Sequence, residues 1–252
     1  MYTKTGLQLY SVRKELTVGF DNTLEAISRM GFEVVELAGL HFREPEEVAL
    51  KLQKHNLKPV SMHCDVLTSE GLKRSLGEAE ILNCEYLVCP WVEPKTFSSE
   101  KSISQFAERL NQANMKIRAK GKTLCYHNHD FEFQPIRGES GFDLFVAQLD
   151  PEIKLQIDVY NAAIAGINPI KIIETNSDRI NMLHIKDGEI TPSEPNVAVG
   201  SGKMDYSSLF EKIPETTQWI YFEFDSCKSN IFEAIEVSKT YIEELITPQT
   251  KT

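Results

Sequence analysis

Short apolar runs alternate along the chain with longer segments in which apolar residues recur at helical spacing. The runs suited to buried strands are residues 6–11, 34–37, 59–63, 86–90, 123–127, 155–158, 182–186 and 219–224. They follow one another at intervals of roughly 25 to 35 residues, the length of a β–α–β crossover. This alternation predicts an α/β protein, a single (β/α)8 TIM barrel with a parallel eight-stranded core.

The predicted helices lie between these strands. They cover residues 23–30, 45–56, 69–82, 102–121, 142–149, 168–176, 205–213 and 231–246. No linker or low-complexity tract interrupts the pattern, so we expect residues 1–252 to form one domain. The longest irregular stretch, residues 187–205, is a candidate lid beside the seventh strand.

Strand parity sorts the side chains of these runs, because one face of a barrel strand packs on helices and the other points into the barrel. On the sixth run Leu155 and Ile157 take the outward face, so Asp158 points inward. The same rule turns His184 inward on the seventh run and Glu223 inward on the eighth. Polar side chains therefore converge at the carboxyl ends of several strands, where barrel enzymes place their active sites.

Asp158, His184 and Glu223 are the candidates for a metal site. Their carboxylate oxygens and imidazole nitrogens suit a divalent ion such as Mn, Zn, Co or Mg. Each residue alone could be structural, but an unpaired buried carboxylate is unfavourable, so inward acids on neighbouring strands favour a functional site. We expect one divalent metal ion whose identity is open.

Two histidines and a glutamate follow one another in the segment YHNHDFEF of the fifth run. His127 and His129 share the inward parity, and Glu132 lies just beyond them. Either His127 or Glu132 could be the fourth metal ligand. The alternative is that both histidines only line a polar barrel mouth. Glu223 on one side and His127, His129 or Glu132 on the other are the candidates for general base and general acid.

Weaker signals mark four candidate substrate contacts, Glu36, His63, Trp91 and Lys186. Trp91 could offer an apolar platform to a sugar ring, although a single aromatic residue at a strand end is as typical of a core. Lys186, with Asp187, could bind substrate hydroxyls or form a structural ion pair. A P-loop, a GxGxxG after the first strand and a GxSxG are all absent from the sequence, which argues against nucleotide-binding and α/β-hydrolase sites.

The net charge of -10 would repel nucleic-acid phosphates, and the basic residues are scattered singly. We therefore expect no nucleic-acid partner. No run of eighteen apolar residues is present, and the first strand begins without the apolar stretch of a signal peptide, so we expect no membrane contact. Five cysteines without a CxxC pair indicate a reducing compartment, and the expected location is cytoplasmic. A trimmed export signal would leave the same sequence.

The chain resembles the xylose isomerase-like TIM barrels, a superfamily of sugar phosphate isomerases and epimerases that also contains inosose dehydratases and apurinic-site endonucleases. The resemblance spans nearly the full length and rests on GLQLYSVR, GFEVVELAG, YHNHDFEF, IDVYNAAIAGINP, LHIKD and VGSGKMDY. It implies a sugar or polyol as substrate. It also implies a homo-oligomer, because dimers and tetramers are common among these proteins.

The resemblance further implies that the metal is held by Asp158, His184, Glu223 and a residue on strand five. The family's epimerases have glutamate at that last position, where this chain has His127 unless Glu132 substitutes for it. The nuclease members have a histidine three residues after the strand-six aspartate, where this chain has an asparagine. A trinuclear nuclease site is therefore not expected.

The expected activity is metal-dependent isomerisation or epimerisation of a sugar or sugar phosphate, by proton transfer next to a carbonyl. The alternative is a lyase, dehydratase or hydratase acting on a keto-sugar, keto-glycoside or inosose, because the same site could expel a β-oxygen. Histidine on strand five favours this alternative. A third hypothesis is a sugar-binding barrel without catalysis.

Overall fold

The computed structural model describes residues 4–246, and its centre is a closed barrel of parallel strands. The barrel strands are β1 (Lys4–Gln8), β2 (Val34–Ala38), β3 (Lys58–His63), β4 (Tyr86–Cys89), β5 (Thr123–His127), β6 (Lys154–Asp158), β7 (Ile180–Ile185) and β8 (Trp219–Phe222). They follow one another in chain order around the barrel, and β1 closes it by pairing with both β2 and β8. The predicted fold class is confirmed. The prediction of one domain over residues 1–252 stays a prediction, and its two ends lie outside the described residues.

The outer layer of the barrel is helical. Its helices are α1 (Arg13–Arg29), α2 (Pro45–Lys54), α3 (Ser69–Ile81), α4 (Glu100–Arg118), α5 (Gly141–Val146), α6 (Val159–Ile164), α7 (Pro169–Thr175), α8 (Tyr206–Phe210) and α9 (Ile231–Ile246). Helix α1 begins ten residues before the predicted start, and it is kinked at Gly19, where the backbone leaves helical geometry. Within residues 4–246, none of the helices combines the length and the apolar character needed to cross a bilayer.

Side chains fill the barrel below its carboxyl-terminal mouth. A buried inner cluster consists of Val34, Tyr86, Val88, Cys125, Met182 and Tyr221. A second, larger core lies between strands and helices, and behind β5 it is aromatic: Phe106 stacks on Phe145 with ring centroids 5.0 Å apart, and Tyr126 meets Phe145 edge-on at 4.7 Å. Packing on both faces fixes β5, and with it the direction of the side chains at its end.

The loop that follows β7 is organised by one buried carboxylate. Asp187 accepts hydrogen bonds from the backbone N–H groups of Gly188 at 2.8 Å, Gly200 at 2.9 Å, Gly202 at 3.0 Å and Met204 at 3.1 Å. These bonds tie the beginning of the predicted lid, residues 187–205, to its end. Asp187 is thus a structural anchor of this loop, and its carboxylate is fully buried away from a substrate.

Candidate active site

Five ionisable side chains meet at the carboxyl ends of β5 to β8, and we call them the mouth cluster. Its members are His127, Asp158, His184, Lys186 and Glu223. All five are at least 95% buried, since the most exposed of them, Glu223, has an exposed fraction of 5%. Potential ligand atoms of His127, Asp158 and Glu223 lie within 4.8 Å of one another. Nδ1 of His184 is 2.8 Å from Oε2 of Glu223. The convergence predicted from strand parity is therefore present.

Lys186 is the cation of the mouth cluster. Its Nζ lies 3.1 Å from Oδ2 of Asp158, 2.9 Å from Oε2 of Glu223 and 2.9 Å from Oδ2 of Asp225. Burial alone would lower the pKa of Lys186, but these three carboxylates raise it well above its ordinary value. The side chain is therefore an ammonium at neutral pH, which can donate hydrogen bonds but cannot accept them.

The two buried histidines of the mouth cluster have opposite electrostatic surroundings. Burial lowers the pKa of His184, but Glu36 on one side of its ring and Glu223 on the other raise it to about 10. Burial also lowers the pKa of His127, and the neighbouring charges of His184 and His63 lower it further, well below its ordinary value. His127 is therefore a neutral imidazole with a lone pair available at neutral pH.

The donor atoms of the mouth cluster fit a divalent metal ion. Nδ1 of His127 is buried, and no hydrogen-bond partner reaches it among residues 4–246. The neutral ring of His127 offers one nitrogen lone pair, and with the carboxylates of Asp158 and Glu223 it forms the mixed nitrogen and oxygen set that Mn, Co and Zn accept. A second group of potential ligands, His63 with His127 and His184, overlaps the first. In this second group, Nε2 of His63 has a hydrogen-bond partner in the protein, Oε1 of Gln156 at 2.8 Å.

Asp158 is fixed by the chain on both sides of it. Its Oδ1 accepts the backbone N–H groups of Tyr160 and Asn161, each at 2.9 Å, and so caps α6. Oδ2, the oxygen near Lys186, also accepts the side chain of Asn161 at 2.7 Å. The side-chain amide of Asn128, which follows β5, makes two hydrogen bonds with the backbone of Asp158. Its oxygen accepts the N–H of Asp158 at 3.0 Å, and its nitrogen donates to the C=O of Asp158 at 3.2 Å. Sequence reasoning missed Asn128, although a polar residue on the outward parity between two histidines was a usable signal.

Glu132 lies away from the other predicted ligands. Its Oε1 accepts the hydroxyl of Tyr126 at 2.7 Å, and its Oε2 accepts the backbone N–H of His129 at 3.0 Å. Tyr126 belongs to the outward face of β5, so the Glu132 carboxylate is turned behind the strand. Neither group of potential ligands in the described residues includes it. His127, and not Glu132, is thus the strand-five residue that lies with Asp158 and Glu223 in such a group, and its role as the fourth ligand stays a prediction.

His129 stands at the edge of the mouth cluster. Its side chain is 30% exposed, and its Nδ1 is 3.9 Å from Oε1 of Glu132. Burial lowers the pKa of His129 to about 4, and the ammonium of Lys186 contributes to this. The imidazole is therefore neutral at pH 7, and its partly exposed ring has a lone pair that can accept a proton.

The predicted substrate contacts fall into different surroundings. Lys186 lies in the mouth cluster, and the side chain of His63 is 11% exposed next to it. Trp91 is 49% exposed on the loop after β4, outside the buried group. Glu36 is fully buried beneath His184, with both oxygens hydrogen-bonded to protein side chains, so the structure does not support the predicted contact of Glu36 with substrate.

A cavity of about 340 Å³ opens beside the mouth cluster, bordered by residues of the β1 and β8 loops. Asp225 forms part of its wall and also contacts Lys186, so this residue separates the cavity from the cluster, whose own members do not line the cavity. Arg13 lines it as well, with its guanidinium donating to the backbone oxygens of Tyr10 and Asp225, each at 2.7 Å. The larger cavities, of about 660 and 620 Å³, are lined by helices and strand beginnings away from the mouth cluster.

This chain is similar to known proteins in both sequence and structure. The xylose isomerase-like TIM barrel family matches residues 24–241. An inosose dehydratase of Geobacillus kaustophilus (strain HTA426) is 25% identical over 271 residues, covering 90% of this chain and 87% of that protein. The crystal structure of a sugar phosphate isomerase/epimerase from Parabacteroides distasonis ATCC 8503 has a TM-score of 0.84 at 23% identity, covering 96% of this chain and 98% of that one.

The zinc-containing crystal structure of the IOLI protein also matches, with a TM-score of 0.73 at 15% identity over 99% of this chain and 100% of that one. The match to the family covers most of the barrel, from α1 to α9. This chain belongs to the xylose isomerase-like TIM barrel family.

Proposed function

We propose that this protein is a metal-dependent lyase, a dehydratase that removes water from a keto-polyol such as an inosose or a keto-sugar. The observation that carries the proposal is the asymmetry of the barrel mouth. The β8 side offers the carboxylate of Glu223, whereas the β5 side offers the imidazoles of His127 and His129. The glutamate available on that side, Glu132, is hydrogen-bonded to Tyr126 behind the strand. A pair of opposed glutamates, which the epimerases of the family use, is therefore not supported.

We assign one divalent ion to His127, Asp158, His184 and Glu223. The unpartnered Nδ1 of His127 supports this assignment, and so does the zinc atom in the related IOLI structure. When bound, such an ion polarises a ketone oxygen and makes the neighbouring C–H bond more acidic. Two imidazoles and two carboxylates favour Mn, Co or Zn over Mg, which prefers oxygen ligands.

In this proposal His129 moves the proton. Its neutral imidazole takes a proton from the carbon next to the ketone, while the Lys186 ammonium donates a hydrogen bond to the oxygen on which negative charge develops. The C–O bond of the β-hydroxyl then breaks. The departing oxygen takes the proton back from His129 and leaves as water, and a C=C bond conjugated with the ketone remains. Glu132 orients His129 through its backbone N–H.

The test is incubation of the metal-loaded protein with inososes and keto-sugars in deuterated water, followed by mass spectrometry. We expect a product lighter by one water, with an ultraviolet absorption typical of a conjugated enone. His129→Gln should abolish turnover while leaving Co²⁺ binding intact, and Asp158→Asn should abolish both. Exchange of deuterium into carbon without loss of water would contradict the dehydratase proposal.

That outcome would support the second candidate, an isomerase or epimerase. The ionised carboxylate of Glu223 favours it, because a carboxylate in the mouth could return a proton to carbon. A sugar-binding barrel without catalysis is the third hypothesis, and it requires that no substrate is turned over. A cytoplasmic location, a homo-oligomer and the absence of a nucleic-acid partner stay predictions.

A further inference from the structure

Glu36 is the centre of a hydrogen-bond network inside the barrel. Its carboxylate is fully buried, and its Oε1 accepts hydrogen bonds at 2.6 Å from the amide of Gln8 and from Nε2 of His184. Its Oε2 accepts hydrogen bonds at 2.6 Å from the hydroxyl of Ser61 and from the amide of Gln156. Four strands, β1, β3, β6 and β7, thus send a donor to one residue of β2.

The orientation of both amides in this network is fixed by other contacts. The amide oxygen of Gln8 accepts the backbone N–H of Tyr10 at 3.1 Å, so its nitrogen faces Glu36. The amide oxygen of Gln156 lies 2.8 Å from Nε2 of His63, so its nitrogen also faces Glu36. With donors on all sides, Glu36 accepts every one of these bonds and is ionised.

The position of Glu36 has a direct consequence for His184. A carboxylate accepts hydrogen bonds and donates none, so Nε2 of His184 carries a hydrogen towards Glu36. The other ring nitrogen, Nδ1, faces the mouth cluster and donates to Oε2 of Glu223 at 2.8 Å. A metal ion bound by these two residues would replace the proton on Nδ1 but leave the proton on Nε2. Histidine ligands in metal sites commonly donate their second N–H to a carboxylate, which fixes the ring and its tautomer.

We propose that Glu36 is a positioning residue that keeps a proton on Nε2 of His184 and thereby presents Nδ1 to the metal ion. The proposal rests on the metal centre of the proposed function but not on the reaction. It gives Glu36 a role in place of the predicted contact with substrate, because its carboxylate is enclosed below the imidazole that it orients.

The first test compares Co²⁺ binding by the wild-type protein, Glu36→Gln and the control Ser61→Ala. The control removes one donor to the same carboxylate but leaves its contact with His184. We expect the dissociation constant of Glu36→Gln to rise about 10- to 100-fold, the usual effect of losing such a partner. The visible absorption bands of bound Co²⁺ should also change. The control should match the wild type in both measurements. A folded Glu36→Gln variant that binds Co²⁺ with wild-type affinity and spectrum would overturn the proposal.

The second test uses the wild-type protein, so it does not depend on the folding of a variant. Long-range ¹H–¹⁵N correlation spectra of the Zn-loaded protein, with ¹⁵N-labelled histidine, distinguish a protonated ring nitrogen from a metal-bound one. We expect Nε2 of His184 to be protonated and Nδ1 to be metal-bound, with assignment by His184→Asn. The reverse pattern would overturn the proposal.

The two proposals fail in different ways. A wild-type protein that binds neither Co²⁺ nor Zn²⁺ overturns both the metal centre and the role of Glu36. A wild-type protein that binds metal through Nδ1 of His184 but removes no water from any ketone overturns the dehydratase proposal alone.

Discussion

Glu132 and Glu223 are both buried carboxyl groups near the end of a barrel strand, and their neighbours give them opposite proton affinities. Burial raises the pKa of each. At Glu223 the ammonium of Lys186 and the imidazole of His184 more than offset this, and its pKa lies well below the ordinary range. At Glu132 the partners are a hydroxyl and backbone N–H groups without charge, so its pKa stays raised at about 7. Glu223 is therefore the permanent anion, and Glu132 is the carboxyl that titrates near neutral pH.

The raised pKa of Glu132 predicts a specific pH dependence of stability. Between pH 4.5, the ordinary value, and about 7 the folded state holds a proton at Glu132 that the unfolded state has lost. The contribution of Glu132 to the free energy of unfolding therefore falls as the pH rises through this window, by at most about 3 kcal/mol. The variant Glu132→Gln has no titrating carboxyl group at this position, so it lacks this pH-dependent contribution to the free energy of unfolding. We expect the variant to gain stability relative to the wild type between pH 5 and pH 8 in urea unfolding. A constant difference between the two proteins would contradict the raised pKa.

Strand parity was sufficient to predict which residues of the mouth cluster meet, because it depends only on the two-residue repeat of a strand. From the sequence alone it places Asp158, His184 and Glu223 on the inward face. The direction of Glu132 could not be predicted in this way. Glu132 lies in a 3-10 turn at Phe131–Phe133, where no fixed repeat relates side-chain direction to sequence position. The role of Glu36 depends on four other strands, and a local pattern carries no such information.

The short helix α6 begins directly after β6 and takes Asp158 as its N-cap. Sequence periodicity did not predict this helix, because six residues complete fewer than two turns. The arrangement gives Asp158 two tasks. Its Oδ1 satisfies backbone N–H groups of α6, and its negative charge faces Lys186 and the proposed metal ion.

Two substitutions at Asp158 separate these tasks. Asparagine keeps an Oδ1 that can cap α6 but removes the charge, whereas alanine removes both. We expect Asp158→Ala to be less stable than Asp158→Asn by about 1 kcal/mol, the usual value of an N-cap. Both variants should lose Co²⁺ binding. Equal stability in thermal and urea unfolding would show that the cap contributes little here.

The loop of residues 187–205 behaves as an anchored element rather than a free lid. Its anchor, Asp187, accepts four backbone N–H groups, so we expect Asp187→Ala to release the loop. Lys203 lies near the end of this loop and provides a trypsin site within it. Cleavage after Lys203 should be at least tenfold faster in Asp187→Ala, because local opening exposes the bond. Glu194→Gln, an exposed change in the same loop, is the matched control and should be cleaved at the wild-type rate. Unchanged cleavage of Asp187→Ala would contradict the anchoring role.

On the scale of the whole molecule, the fold is a barrel with a hydrophobic core and a buried charged network near the carboxyl ends of its strands. Glu36, Asp158 and Glu223 are buried anions there, and His184 and Lys186 are the facing cations. Removing one partner of such a network is strongly destabilising, since it leaves a buried charge without compensation. A network of this kind marks a candidate functional site, because apolar side chains would fill the same space with less desolvation.

A divalent ion that binds this interior only in the folded state should stabilise the entire barrel. At a Co²⁺ concentration one hundred times the dissociation constant, the gain is about 2.7 kcal/mol, which corresponds to a rise in Tm of about 5 to 10 °C for a protein of this size. Asp158→Asn should lose the rise, and a chelator should reverse it in the wild type. Glu132→Gln should keep the full rise, because the carboxylate of Glu132 is turned behind β5. Loss of the rise in Glu132→Gln would instead make Glu132 the fourth ligand and remove His127 from that position. Differential scanning calorimetry of the three proteins, with and without Co²⁺, decides between the two residues.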